Sequence, residues 1–108
     1  MYAQIQEDRM EKIFVDEFGC RLVEDTGRRK KFHADKIFES TNGHLLVVDH
    51  KSTIGTTEIG LKKEWIEKVR AEADSVHSQA MGLITISYKN THKMLVVMDL
   101  DDFQLLIR

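Results

Sequence analysis

Apolar positions recur along the chain in two rhythms, one of period near 3.6 and one of period 2, and together they mark out eight elements. From about residue 3 to residue 18, Ile5, Met10, Ile13, Phe14 and Phe18 fall at helical spacing, and Gly19 supplies a C-terminal stop. Cys20 to Val23 reads as a short strand, closed by the turn-prone Asp25, Thr26 and Gly27. Residues 32–39, FHADKIFE, form a second extended segment, and the Asn42-Gly43 pair after it is a hairpin signal. HLLVVDHK follows, with an unbroken apolar centre that predicts a central strand covered on both faces. Residues 61–76 predict the clearest helix, with Leu61, Trp65, Val69, Ala73 and Val76 on one stripe and Lys62, Lys63, Glu67, Lys68 and Glu72 around the rest. MGLITISY and KMLVVM are two more strands joined by a polar turn at Lys89 to His92. Asp99 then caps a short final helix carrying Phe103, Leu106 and Ile107. The order helix, three strands, helix, two strands, helix predicts a mixed-sheet α/β sandwich forming one domain over residues 1–108.

Composition narrows the class. A chain 42% hydrophobic and 31% charged is globular rather than disordered, and 108 residues suffice for one sheet and two or three helices. There is no internal repeat or linker-like stretch, and the absence of proline leaves the turns to Gly, Asn, Asp and Ser. No apolar run approaches the roughly 18 to 20 residues of a membrane span, and the start, MYAQIQEDRMEK, lacks the features of a secretory signal. A single cysteine, Cys20, has no internal disulfide partner and reads as core, so the expected setting is cytoplasmic, with no membrane partner. The net charge of −2 argues against a generic nucleic-acid coating protein. The charge is uneven, however: Arg28, Arg29, Lys30 and Lys31 are consecutive, while Asp99, Asp101 and Asp102 make an acidic segment. Taken alone, a four-residue basic run is ordinarily a solvated loop.

Three polar residues stand where a purely structural hairpin has no need of them. Asp35 lies in the first hairpin strand, and Asp49 and Lys51 close the second, directly after Leu45, Leu46, Val47 and Val48. Strand alternation points Asp49 and Lys51 the same way, about 7 Å apart along the chain, and turns His50 to the other face, as a packed or hydrogen-bonded residue. A turn at Asn42-Gly43 folds Asp35 back beside Asp49. Two hard carboxylates suit Mg²⁺, which neutralises charge on a phosphate and acidifies a water, and a neighbouring lysine orients that water or stabilises the same charge. An isolated Asp-x-Lys is ordinarily a surface ion pair contributing well under about 1 kcal/mol. Here the upstream Asp35, the hairpin and the flanking helices favour the site.

The stretch FHADKIFESTNGHLLVVDHKST resembles the core of the PD-(D/E)xK nuclease superfamily, with Ala34-Asp35 in the first motif and Asp49-His50-Lys51 in the second. Within that superfamily the similarity is greatest to the small archaeal-type and phage-type Holliday junction resolvases, and it covers nearly the whole chain. It implies a restriction-endonuclease-like αβββαβ core with a mixed central sheet flanked by helices. It also implies a first-helix glutamate at the metal: Glu11, seven residues before Phe18-Gly19, is the best match, and Glu7, one turn earlier on the same side, is the alternative. Two departures stand out. Ala34 occupies the place of the motif's proline, and Asp49 and His50 stand where glutamate and a small apolar residue are commoner in the resolvases.

The activity implied by the resemblance is Mg²⁺-dependent (Mn²⁺-compatible) endonucleolytic cleavage of four-way DNA junctions in recombination and repair. Asp35, Asp49 and Glu11 would hold metal and Lys51 would assist the attacking water. Arg28 to Lys31 lie on the loop leading to Asp35, where backbone phosphates pass, with Ser52 and Thr53 as further phosphate contacts beside Lys51. Symmetric cleavage of a junction calls for a two-fold homodimer, with KMLVVM and the final helix as candidate contacts. Small size leans toward a phage or mobile element. The alternatives are another structure-specific or restriction-type endonuclease on the same fold, or a catalytically silent DNA-binding or assembly module.

Overall fold

The computed structural model of the chain describes residues 2–25, 36–53, 59–88 and 93–108. Within them run α1 (Tyr2–Lys12), a π-helical turn continuing it (Ile13–Glu17), β1 (Arg21–Asp25), β2 (Lys36–Glu39), β3 (Leu45–Thr53), α2 (Lys63–Val76), β4 (Met81–Tyr88), β5 (Met94–Val97) and α3 (Leu100–Leu106). The order of elements is the one the apolar pattern predicts. The strands form one five-stranded mixed sheet in chain order, with β3 and β4 parallel and the other neighbours antiparallel. A parallel pair needs a long crossover, and α2 supplies it. The result is an α/β fold with helices on both faces of the sheet.

Alternation along β3 sorts the core into two halves. Leu46 and Val48 join Met10, Phe14, Cys20, Phe38, Met81 and Leu83 beneath α1. Val47 joins Ile37, Val69, Ala73, Ile84 and Ile86 beneath α2. The unbroken apolar run is therefore a strand buried on both faces, as its composition predicts.

The punctuation also falls where glycine places it. Gly19 ends the first helical segment at φ +72, a conformation unfavourable for any residue with a Cβ. In the β2–β3 hairpin, Gly43 N donates to Ser40 O at 2.9 Å and Ser40 N donates to His44 O at 2.9 Å. The loop is thus Thr41-Asn42-Gly43, with Gly43 in the left-handed position at φ +84, a three-residue variant of the turn that Asn-Gly signals. It sets the register from Glu39 opposite Leu45 to Lys36 opposite Val48.

Four side chains behave differently from the sequence expectation. Glu72 is buried on α2, with Lys68 one turn earlier at 3.4 Å, and its burial raises the carboxyl pKa. Leu61 and Val76, by contrast, lie at or beyond the helix ends and are exposed. Asp99 occupies the position before α3, and its main-chain O accepts from Phe103 N at 3.0 Å, but its side chain caps nothing. The Asp99 carboxylate instead pairs with Arg70, tying α3 to α2. Among the described residues no helix is long and apolar enough to cross a membrane.

Gly82 marks the closest approach of α2 to the sheet. A Cβ there would stand 2.9 Å from Val69 O and 3.1 Å from Val69 C, both main-chain atoms that can yield only if α2 shifts. Gly82→Ala is therefore expected to destabilise the fold by about 1–3 kcal/mol. Urea denaturation reads this as a lower midpoint at unchanged slope; an unchanged midpoint would mean that α2 lifts away from β4 without cost.

Candidate functional site

The second half of β3 changes from apolar to polar while its pairing with β4 continues, Asp49 opposite Ile84 and Lys51 opposite Ile86. Asp49 and Lys51 share the α2 face, as alternation predicts. The Asp49 side chain is only 5% exposed and that of Lys51 28%, and Lys51 Nζ lies 3.3 Å from Asp49 Oδ2. Asp49 Oδ2 is nevertheless buried without a hydrogen bond from any described residue. The ammonium is near enough to pair with the charge but is not directed to satisfy that oxygen.

Trp65, in the first turn of α2, completes the group. Lys51 Nζ stands 5.1 Å from the centroid of its ring, and Lys62 Nζ stands 5.7 Å from the same centroid. The crossover explains the meeting: a helix returning over a strand sets its first turn above the strand's C-terminal end. Lys51 is thus held between a carboxylate and an aromatic face. A solvated ion pair would leave both partners wet, whereas burial of an incompletely satisfied carboxylate costs on the order of several kcal/mol. An apolar residue at position 49 would avoid that cost.

The opposite face of the same strand carries a closed polar cluster. His50 Nδ1 lies 2.8 Å from Thr85 Oγ1, and Nε2 lies 3.0 Å from Ser87 Oγ and 3.3 Å from Ser52 Oγ. Ser52 and Ser87 hydroxyls meet at 3.0 Å. Burial pushes the His50 pKa down from 6.5 to about 4, with the Arg9 charge adding to the shift and Asp49 opposing it. The ring is neutral near pH 7 and divides donor and acceptor roles among hydroxyls that rotate to suit it.

The remaining expected site residues separate. Asp35 and the basic run Arg28, Arg29, Lys30 and Lys31 lie outside the described residues. Glu11 is bonded to Lys36, with Oε1 2.8 Å from Nζ, and the Lys36 side chain is 6% exposed. Lys36 shares a face with Phe38, which packs beneath α1, so Glu11 is brought to the side of the sheet opposite Asp49. Ser52 is not beside Lys51 but in the His50 cluster, because alternation that turns His50 away turns Ser52 away too. Thr53 follows on the Lys51 face. Among the described residues no three carboxylate, imidazole or thiol side chains gather as a metal site. Trp65 and Lys62 escaped notice as site residues: the first reads as a core stripe position and the second as a solvated lysine. The available signal is their place at the start of the crossover helix that follows an Asp-x-Lys strand, Lys62 at its N-cap and Trp65 in its first turn.

The pH dependence of stability follows from His50. Its folded-state pKa lies below the unfolded value, so the unfolded chain takes up the proton first as pH falls. The stabilisation is fully present above about pH 6.5 and is lost between pH 6.5 and 4, by on the order of 2–3 kcal/mol. Urea denaturation of the metal-free protein at both ends of that window is expected to show a shallower decline for His50→Gln than for wild type. Parallel declines would show that the imidazole titrates alike in both states.

No family model, curated protein or solved structure matches the chain.

Proposed function

We propose that the chain is a metal-dependent endonuclease of the PD-(D/E)xK type that cuts four-way DNA junctions. The observation that carries this reading is Asp49, a buried carboxylate with an unsatisfied oxygen midway along the parallel-paired β3, beside a same-face lysine two residues further toward the strand's C-terminal end. Ligand sites in α/β folds favour the carboxyl ends of parallel strands, toward which Lys51 and Thr53 lead from Asp49. The order of elements, with a hairpin entering a parallel strand pair through a crossover helix, supports the same fold assignment.

An orphaned hard oxygen suits Mg²⁺ or Mn²⁺, so Asp49 fits the cation. When bound, the metal supplies charge neutralisation at a phosphate and a more acidic water. Asp35 is proposed as its second carboxylate: the residue after it, Lys36, pairs with Val48, the residue before Asp49. Glu11 is assigned instead to Lys36, where it ties α1 to β2. Lys51 orients the attacking water and lends positive charge as the phosphate becomes more negative. Lys62, Thr53 and the run Arg28 to Lys31 take backbone phosphates. A second copy of the chain is proposed against the edge strand β5 and α3, where Val96, Leu100, Phe103 and Ile107 are exposed.

The test is incubation of the purified protein with a synthetic four-way junction or its linear duplex, with Mg²⁺ or with chelator. Symmetric nicks in the junction alone, abolished by chelator, are expected. Asp49→Ala and Lys51→Ala should each slow cutting by roughly 10²- to 10⁴-fold. Cutting of both substrates would favour a general nuclease. Absence of cutting, with junction binding unaffected by Asp49→Ala, would overturn the enzyme reading in favour of a binding module. Sedimentation should also show a dimer that Phe103→Glu dissociates.

A further inference from the structure

We infer that Trp65 is a positioning residue that keeps Lys51 at the reaction centre once a divalent cation has taken Asp49. The inference deepens the nuclease reading and rests on it. Its starting point is that Lys51 has two anchors of different kinds. One is the Asp49 carboxylate at 3.3 Å; the other is the Trp65 ring, with its centroid 5.1 Å from Nζ.

The two anchors respond differently to metal. A cation held by the Asp49 carboxylate would draw on the negative charge that attracts the ammonium, and its own charge would repel Lys51. A lysine side chain has four rotatable carbons and strongly prefers water, so a lysine with only the first anchor would swing outward. The ring attracts an ammonium through its quadrupole, which no metal neutralises. It therefore holds Lys51 beside Asp49 in the metal-loaded state, the only state in which cleavage takes place.

Trp65 is well placed for the task. It packs against the buried cluster of Val47, Val69, Ala73, Ile84 and Ile86, so the ring is fixed by the core rather than by the lysine. It also lies on the helix that Val69 presses onto Gly82, which fixes the height of the ring above β3. A leucine would fill much of the same apolar space and offer no face to a cation, so packing by itself does not account for an indole carrying two ammonium groups.

Two measurements test this. In the first, the side-chain εCH₂ signals of Lys51 are followed by NMR while Mg²⁺ alone is added, with assignment by their absence from Lys51→Met. The aromatic ring current should shift them upfield in wild type before and after metal saturation, less so in Trp65→Phe and not at all in Trp65→Leu. In the second, junction cleavage is measured at saturating Mg²⁺. Trp65→Leu should lose roughly tenfold in kcat with KM for the junction nearly unchanged, and Trp65→Phe should retain most of the rate. A general loss of fold would raise KM as well and move core amide signals, and Trp65→Phe provides the conservative comparison should Trp65→Leu not fold. Loss of the upfield shift when Mg²⁺ is added to wild type would overturn the inference, as would a Trp65→Leu protein with wild-type kcat. If wild type cuts no DNA at all, the nuclease reading falls, and the NMR arm still decides whether the ring retains Lys51 against the cation.

Discussion

The contact between α2 and β4 at Gly82 sets the dimensions of everything around Asp49. The parallel pairing of β3 with β4 exists because α2 crosses between them, and the distance of α2 from the sheet is fixed where Val69 main-chain atoms meet the glycine. That distance determines how far the first turn of α2 overhangs the end of β3. Trp65 comes over Lys51 and the Asp49 carboxylate is enclosed as a result. A side chain at position 82 that raised the helix at Val69 would open this enclosure from about one turn away.

The other face solves a different problem. Met10, Phe14 and Phe38 fill the space under α1, the two phenylalanine rings stacked at 4.9 Å, but the far end of β3 and β4 there is polar. His50, Ser52, Thr85 and Ser87 satisfy one another across that end, which holds the strands in register without apolar packing. One strand therefore carries a self-satisfied cluster on one side and an unsatisfied carboxylate on the other. Among the described residues, the buried side-chain oxygens left without a hydrogen bond belong to Asp49 and Glu72. Glu72 also buries an oxygen without a hydrogen bond, but burial raises its pKa and so favours the neutral acid, which lowers the cost.

Much of this was legible in the residues because the relevant physics is local. Period-2 alternation places Asp49 with Lys51 and opposite His50, glycine marks the left-handed positions at Gly19 and Gly43, and the apolar run of β3 announces burial on two faces. Applied consistently, alternation also sends Ser52 to the His50 side, where nearness in sequence to Lys51 had suggested a shared site. Glu72 falls at helical spacing from Trp65 and Val69, so its burial was within reach of the same wheel that assigned it to the solvated surface. The meetings of Lys51 with Trp65 and of Glu11 with Lys36 were not legible. They depend on the height and angle at which helices lie across the sheet, which no spacing within one element encodes.

The π-helical turn at Ile13–Glu17 carries its own lesson about correspondence between chains. A widened turn accommodates roughly one residue more than an α-helix over the same rise. Everything before it is thereby rotated by about 100° relative to a count that assumes uniform geometry back from Gly19. A first-helix carboxylate counted back from that glycine therefore lies about 100° from where uniform α-helical geometry would put it. A comparison anchored at the helix start, where Gln6 and Arg9 are hydrogen-bonded, avoids the extra residue altogether.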